Sequence, residues 1–376
     1  MKSFLSEISK LPLIRFLSSI KLTVICLLFL FILVFWGTVY QVDHGLYQAQ
    51  QQFFASFFFR AFDILPFPGG QLVLWVLFIN LLLGSFLRLE YHWTKSGIVI
   101  IHLGLLTFFI AAFATFHLCE ESNLTLIEGE SSNVSSMYHN WEIAFWKESG
   151  NEREVVAYDA DKLAPGQLLD FSELGVTLTV ESYYSNCNAY GKADTKQTPF
   201  NDSGIKSLRK IPLDKEPEKN TPGGIFIIKG TENDELPLLL YGREESPTKI
   251  ETHGQTYYAH LRLKHLPLPF SLKLLDFRMA VHPGTQMASS YESEVEVHSP
   301  KLTRKTIISM NKPLRYKDFT FYQASYRVDQ EGREISTMAV VKNAGQFLPY
   351  ISTFLTFFGL LIHFSIVFAQ TIRGKV

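Results

Sequence analysis

Cysteine is scarce: Cys26, Cys119 and Cys187 are the only three in 376 residues, and no two stand in a Cys-x-x-Cys spacing. That excludes a thioredoxin-like dithiol, a zinc ribbon and a haem held covalently by this chain. Net charge is nearly absent too. The 35 Lys and Arg against 36 Asp and Glu leave −1, which excludes a nucleic-acid binder working through bulk positive charge. The six His between 119 and 346 show no His-x-x-x-His or His-Glu-x-x-His spacing, so nothing there predicts a metal site. Charged residues amount to 19%, an ordinary share, and the chain is no disordered polyelectrolyte.

Apolar and aromatic residues are abundant, at 47% and 14%, with 32 Phe. They gather in four uncharged runs, 22–40, 71–87, 97–118 and 347–369. Each is close to the ~20 residues that cross a bilayer's hydrocarbon core. The first is too long for a signal-peptide core and lacks a small-residue cleavage site, so it reads as a span. Lys2, Lys10, Arg15 and Lys21 precede it, Arg88 and Lys95 lie between the second and third runs, and Arg373 and Lys375 follow the fourth. The segment joining the first two runs carries only Arg60. The positive-inside rule then puts both termini (1–21 and 370–376) and the loop 88–96 in the cytoplasm.

Residues 119–346 form one large block on the outer side. Stretches such as 175–183, 224–230, 256–266, 290–298 and 305–311 alternate apolar and polar residues and are rich in Val, Ile, Tyr, Phe and Thr. That period of two predicts an all-β domain. The polar interval 186–223 reads as a long surface loop or insertion. In 41–70, the stretch 46–65 places Phe53, Phe54, Phe57, Phe58 and Phe62 at helical spacing opposite Gln48, Gln51, Gln52 and Arg60. It predicts an amphipathic helix at the outer interface, or one packed on that side of the membrane. The fold class is thus four transmembrane helices with an all-β domain inserted between the third and fourth.

Polar residues inside hydrocarbon are rare and often functional. Two His lie inside the spans. His102 is about five residues, roughly 8 Å, from the cytoplasmic edge, and His363 about six residues, roughly 9 Å, from the same edge. Their matched depth makes them candidate haem iron ligands, with Gly104 and Gly359 leaving room for a flat macrocycle. The competing reading is a His bonded to a neighbouring helix. Spans three and four are expected to be neighbours. His44 and His117 fall near the outer interface, where surface placement is the default. His260 and His265, five apart on a strand, should face opposite ways. Cys119 and Cys187 both face the oxidising side, where a disulfide is permitted, although no spacing joins them.

The whole chain resembles the ResB (CcsB) membrane proteins of the System II cytochrome c maturation pathway. The resemblance runs through SSIKLTVICLLFLFILVFWGTVYQ (18–41), HLGLLTFFIAAFATF (102–116) followed by LTLIEGES (124–131), LLDFRMAVHPGTQMASSYESEVEV (274–297) and NKPLRYKDFTFYQASY (311–326). It implies a bacterial inner-membrane protein with a periplasmic β domain. Such a protein acts with CcsA to carry haem b outward and to attach it to Cys-x-x-Cys-His motifs of apocytochrome c. It implies His102 as an axial ligand of the transported haem, with the stronger second ligand from CcsA and His363 secondary. Without a Trp-rich segment or a Cys-x-x-Cys, the chain would need CcsA and a separate thiol reductant. No acid–base or nucleophilic pair stands out, which suggests a non-catalytic or co-catalytic subunit. Two other readings stay open: a stand-alone b-type electron carrier using both His, and a structural anchor with a β interaction domain.

Overall fold

The structure, a computed structural model, describes residues 11–62, 64–149, 152–192, 199–229, 235–252, 255–284 and 288–374. The chain divides into two units, Met1–Cys119 with Asn343–Val376, and Glu120–Lys342.

The first unit holds helices α1 (Pro12–Leu17), α2 (Ile20–His44), α3 (Leu46–Ala49), α4 (Gly70–Leu87), α5 (Ser96–Leu118) and α6 (Leu348–Ile372). Among the described residues, α2, α4, α5 and α6 are long and apolar enough to cross a membrane, and only 11% to 28% of each most apolar stretch is buried within the protein. Side chains this apolar and this exposed need lipid around them. The chain breaks between α1 and α2 at Ser18 and Ser19, where Ser19 Oγ caps α2 by accepting from the Leu22 amide at 3.2 Å. Asn80 of α4 reaches this break. Its Nδ2 donates to the carbonyls of Leu17 at 2.6 Å and Ser19 at 3.0 Å, while its Oδ1 accepts from Thr23 at 2.6 Å. A lone Asn in an apolar run thus satisfies carbonyls that a helix break leaves open.

The segment after α2 departs from the expected single helix. A helical turn continues through Phe54, then β1 (Phe58–Ala61) and β2 (Leu65–Pro68) form a hairpin. Phe53 and Phe59 turn inward and, with Phe67 and Phe62, surround Trp36 at centroid distances of 5.2–5.9 Å. The Phe spacing fits a helix, but Pro66 and Pro68 forbid one through the second strand, and the chain turns back on itself instead.

Helices α5 and α6 are neighbours, as expected, and touch backbone to backbone. A Cβ added at Gly97 would stand 2.4 Å from the His363 amide nitrogen, one at Gly359 2.8 Å from the Ile101 amide nitrogen, and one at Gly104 2.4 Å from Thr356 Oγ1. Ser352 Oγ donates to the Gly104 carbonyl at 2.9 Å. This is the small-residue packing of membrane helices. Gly104 and Gly359 therefore admit a helix, which corrects the expectation that they make room for a macrocycle.

The second unit is all β. Its strands are β3 (Glu120–Ile127), β4 (Ser131–Ser149), β5 (Glu152–Asp159), β6 (Leu168–Phe171), β7 (Val176–Tyr184), β8 (Cys187–Tyr190), β9 (Ser207–Lys210), β10 (Gly223–Lys229) and β11 (Leu236–Tyr241). They continue with β12 (Thr248–Thr252), β13 (Gln255–Val281), β14 (Ala288–Ser299), β15 (Leu302–Ser309), β16 (Leu314–Tyr316), β17 (Phe319–Val328) and β18 (Glu334–Lys342). Ten strands form one sheet in the order β15-β14-β13-β4-β3-β18-β17-β16, with β12 beside β13 and β5 beside β4. A bridge from Ser309 to Lys312 brings the far ends together, so the sheet almost closes into a barrel. Leu126, Leu272, Val295, Ile308, Phe321 and Val340 fill it. A second sheet, β6-β7-β10-β11, covers another core containing Phe145, Phe171, Leu178, Phe226 and Leu261.

Strand β13 belongs to both cores, and β4, paired along it, gives Ile143 and Phe145 to the second. In β13 the inward residues are Tyr257, Ala259 and Leu261, then Leu268, Phe270, Leu272 and Leu274. The inward parity switches from odd to even numbers between them. Register shifts against β4 at Leu263/His265 and Pro267/Leu272 make the switch possible. The expectation that His260 and His265 face opposite ways assumed unbroken alternation, and this shift removes it. Within 186–223 the expected loop is partly ordered: β8 pairs with β9, and Cys187 is buried without a disulfide. Residues 193–198 of that interval lie outside the described residues.

Candidate functional site

His102 lies about two turns into α5, six residues after Ser96. Its Nδ1 donates to the Ile98 carbonyl one turn back at 2.9 Å, since a carbonyl can only accept. With Nδ1 bonded to that carbonyl, Nε2 is the ring nitrogen left to meet a ligand. Metal-ligating His side chains are held in this way, with the second nitrogen bonded to a carbonyl or carboxylate. His102 lines a cavity of about 540 Å³ between α2, α4 and α5, whose walls are mostly apolar: Leu27, Leu30, Leu77, Leu105 and Phe109. Its polar lining includes Ser18, Thr23, Asn80 and Arg88. The volume lies within the range of small-molecule and cofactor sites. An apolar chamber with one imidazole whose Nε2 is available fits a haem ligand.

His363 is elsewhere. No α6 residue lines this cavity. The contacts that put Gly97 opposite His363 and Gly104 opposite Thr356 set the axial offset. His102 stands five residues from Gly97, about 7.5 Å further along the pair at ~1.5 Å per residue. The matched depth read from sequence therefore fails, because it assumed both helices enter the membrane at the same level. His363 Nδ1 is buried without a hydrogen-bond partner. His44 and His117 are exposed, and His44 stacks on Tyr40 at 3.8 Å.

Sequence reading missed Asn80 and Arg88, although an Asn inside a span is visible without a structure. The motif residues of the β unit have structural work. Gln323 accepts from Ser293 Oγ at 2.7 Å and donates to Ser336 Oγ at 2.9 Å, a closed polar network inside the near-barrel. Glu128 accepts from the Phe277 amide at 2.6 Å, next to the β13 bulge at Leu274/Asp276. His260 Nε2 bonds the Glu244 carbonyl at 2.9 Å, and His253 lies outside the described residues. Among the described residues no group of three or more His, Cys, Asp or Glu converges as a metal site.

Four apolar helices beside a large two-core β unit define a multi-pass membrane protein with a sizeable water-facing domain. Residues 242–355 match the ResB-like family, from just before β12 into α6. Protein NrfI of Wolinella succinogenes is 34% identical over 100 residues, which are 26% of this chain and 11% of NrfI. The stretch that matches NrfI spans only about a tenth of that relative's length.

Proposed function

We propose that this chain acts in cytochrome c biogenesis as a haem-handling subunit of the bacterial inner membrane. In this reading it works with a CcsA-type partner to move haem from the cytoplasmic side outward and to support its attachment to apocytochrome c. The observation that carries the reading is His102 itself, with Nδ1 fixed by Ile98 and the ring lining an apolar cavity. When bound, haem supplies the vinyl groups that become thioethers. The Ile98 carbonyl orients the imidazole, the Leu and Phe walls exclude water, and the helix pair α5–α6 fixes the height of His102. The separation of His363 from the cavity supports a second ligand from the partner and leaves His363 a secondary role, as a polar contact. Both termini are cytoplasmic in this reading, and the β unit is periplasmic. The chain itself is a non-catalytic or co-catalytic subunit, with thiol reduction supplied by another protein.

The test is the visible spectrum of the purified complex with CcsA. His102→Ala should insert and assemble but lose most of its Soret absorbance, and added imidazole should restore part of it. A complex with unchanged haem content would remove His102 from the site. A stand-alone electron carrier would instead keep a two-His spectrum in the single chain that depends on His363.

A further inference from the structure

The His102 cavity shares part of its wall with a more polar neighbour. Arg88 and Ile20 line it and also line a second, more open cavity of about 650 Å³. Among the described residues, the second cavity is bordered by Arg15, Lys21 and Arg88 and by no acidic residue. Arg88 Nε donates to Ser18 Oγ at 3.2 Å and Nη2 to the Arg15 carbonyl at 3.2 Å, both uncharged acceptors. Among the described residues no carboxylate pairs with any of the three cations, and nearby Glu90 is engaged by Lys95. The two cavities thus adjoin at Ile20 and Arg88, one mostly apolar and the other bordered by three cations that no described carboxylate pairs. Guanidinium groups match carboxylate and phosphate oxygens with paired hydrogen bonds.

We propose that the adjoining cavities bind an amphiphile in a fixed orientation, with its apolar body against His102 and its anionic head on Arg15, Lys21 and Arg88. The inference rests on the haem reading above: the body is then the porphyrin and the head its two propionate carboxylates. Haem enters from the basic end and stands with its carboxylates toward it. An anionic lipid shares the same chemistry, an acyl body and a phosphate head.

The test uses the full-length chain in uncharged detergent, titrated with haem and with its dimethyl ester, which lacks the negative charges. Wild type should bind haem about tenfold or more tightly than the ester, a difference of about 1.4 kcal/mol or more. In Arg15→Gln/Lys21→Gln, whose replaced groups hold no structural ion pair, the ratio should fall toward one, and Arg88→Gln should act in the same direction. His102→Ala should change the spectrum of both compounds and keep the preference for the acid. Equal binding of acid and ester with a His102-dependent Soret band would overturn the anionic subsite and leave the His102 reading standing. If neither compound gives a His102-dependent band, the haem reading fails, and native mass spectrometry from mixed phosphatidylglycerol–phosphatidylcholine nanodiscs decides. Phosphatidylglycerol retained by wild type and lost by the double variant assigns the head to a lipid. Retention of neither lipid overturns the amphiphile site altogether.

Discussion

His265 is kept neutral by its surroundings. Burial, then Arg262 and His260, push its pKa from the ordinary 6.5 down to about 4. Burial lowers that of His260 as well. The unfolded chain takes up a proton at His265 near 6.5, while the folded chain does so only near 4. Stability is therefore fully present above pH 6.5 and declines as pH falls from 6.5 toward 4. His265 is partly exposed, so screening by solvent reduces its share to something on the order of 1–2 kcal/mol. Urea titrations at pH 7 and pH 4.5 should show this loss, and His265→Asn should shrink the difference between them. Cys187 makes a second expectation at this scale. Burial raises its thiol to about 12, and it is 1% exposed. With Cys26 and Cys119 replaced by Ser, the folded protein should resist maleimide at pH 8 and react once denatured. Rapid labelling without denaturant would show that β8 and β9 open readily.

At the scale of elements, the contact between α5 and α6 depends on positions where nothing larger than hydrogen fits. Gly104→Val should cost about 1–3 kcal/mol or separate the helices, because its new carbons meet Thr356 main chain. Thermal denaturation and proteolysis in detergent would register this, and a variant as resistant as wild type would contradict the close approach. The spans were legible in the sequence because about 20 uncharged, apolar residues in a row match the thickness of a bilayer's hydrocarbon core. Most strands were legible through alternation. The β1–β2 hairpin was hidden in a Phe-rich stretch that fits helix and strand equally well. The path of β13 through both cores was hidden too, because Pro267 and Pro269 read as a break and the parity switch cancels the period. His102 stood out as an isolated polar group, while its cavity and the misalignment with His363 depend on helix packing, which no spacing encodes.

At the scale of the whole molecule, the β unit has its own two cores, and its first and last strands are partners: Lys342 pairs with Glu120 at the ends of β18 and β3. Residues 120–342 expressed alone should therefore fold. Circular dichroism should report a β spectrum and a single cooperative melt, whereas a flat melt would tie the unit's stability to the helices. The same pairing sets a schedule for synthesis. Glu120 and Lys342 are 222 positions apart. At roughly 5–20 residues per second, β3 waits on the order of 10–45 s for its partner to emerge. Throughout that interval it is an unpaired strand edge open to the wrong neighbour. A pairing this distant also forms slowly once both strands are present. Whatever shields the nascent edge of β3 during those seconds, a chaperone or its own early contacts with β4, decides how much of the chain escapes aggregation.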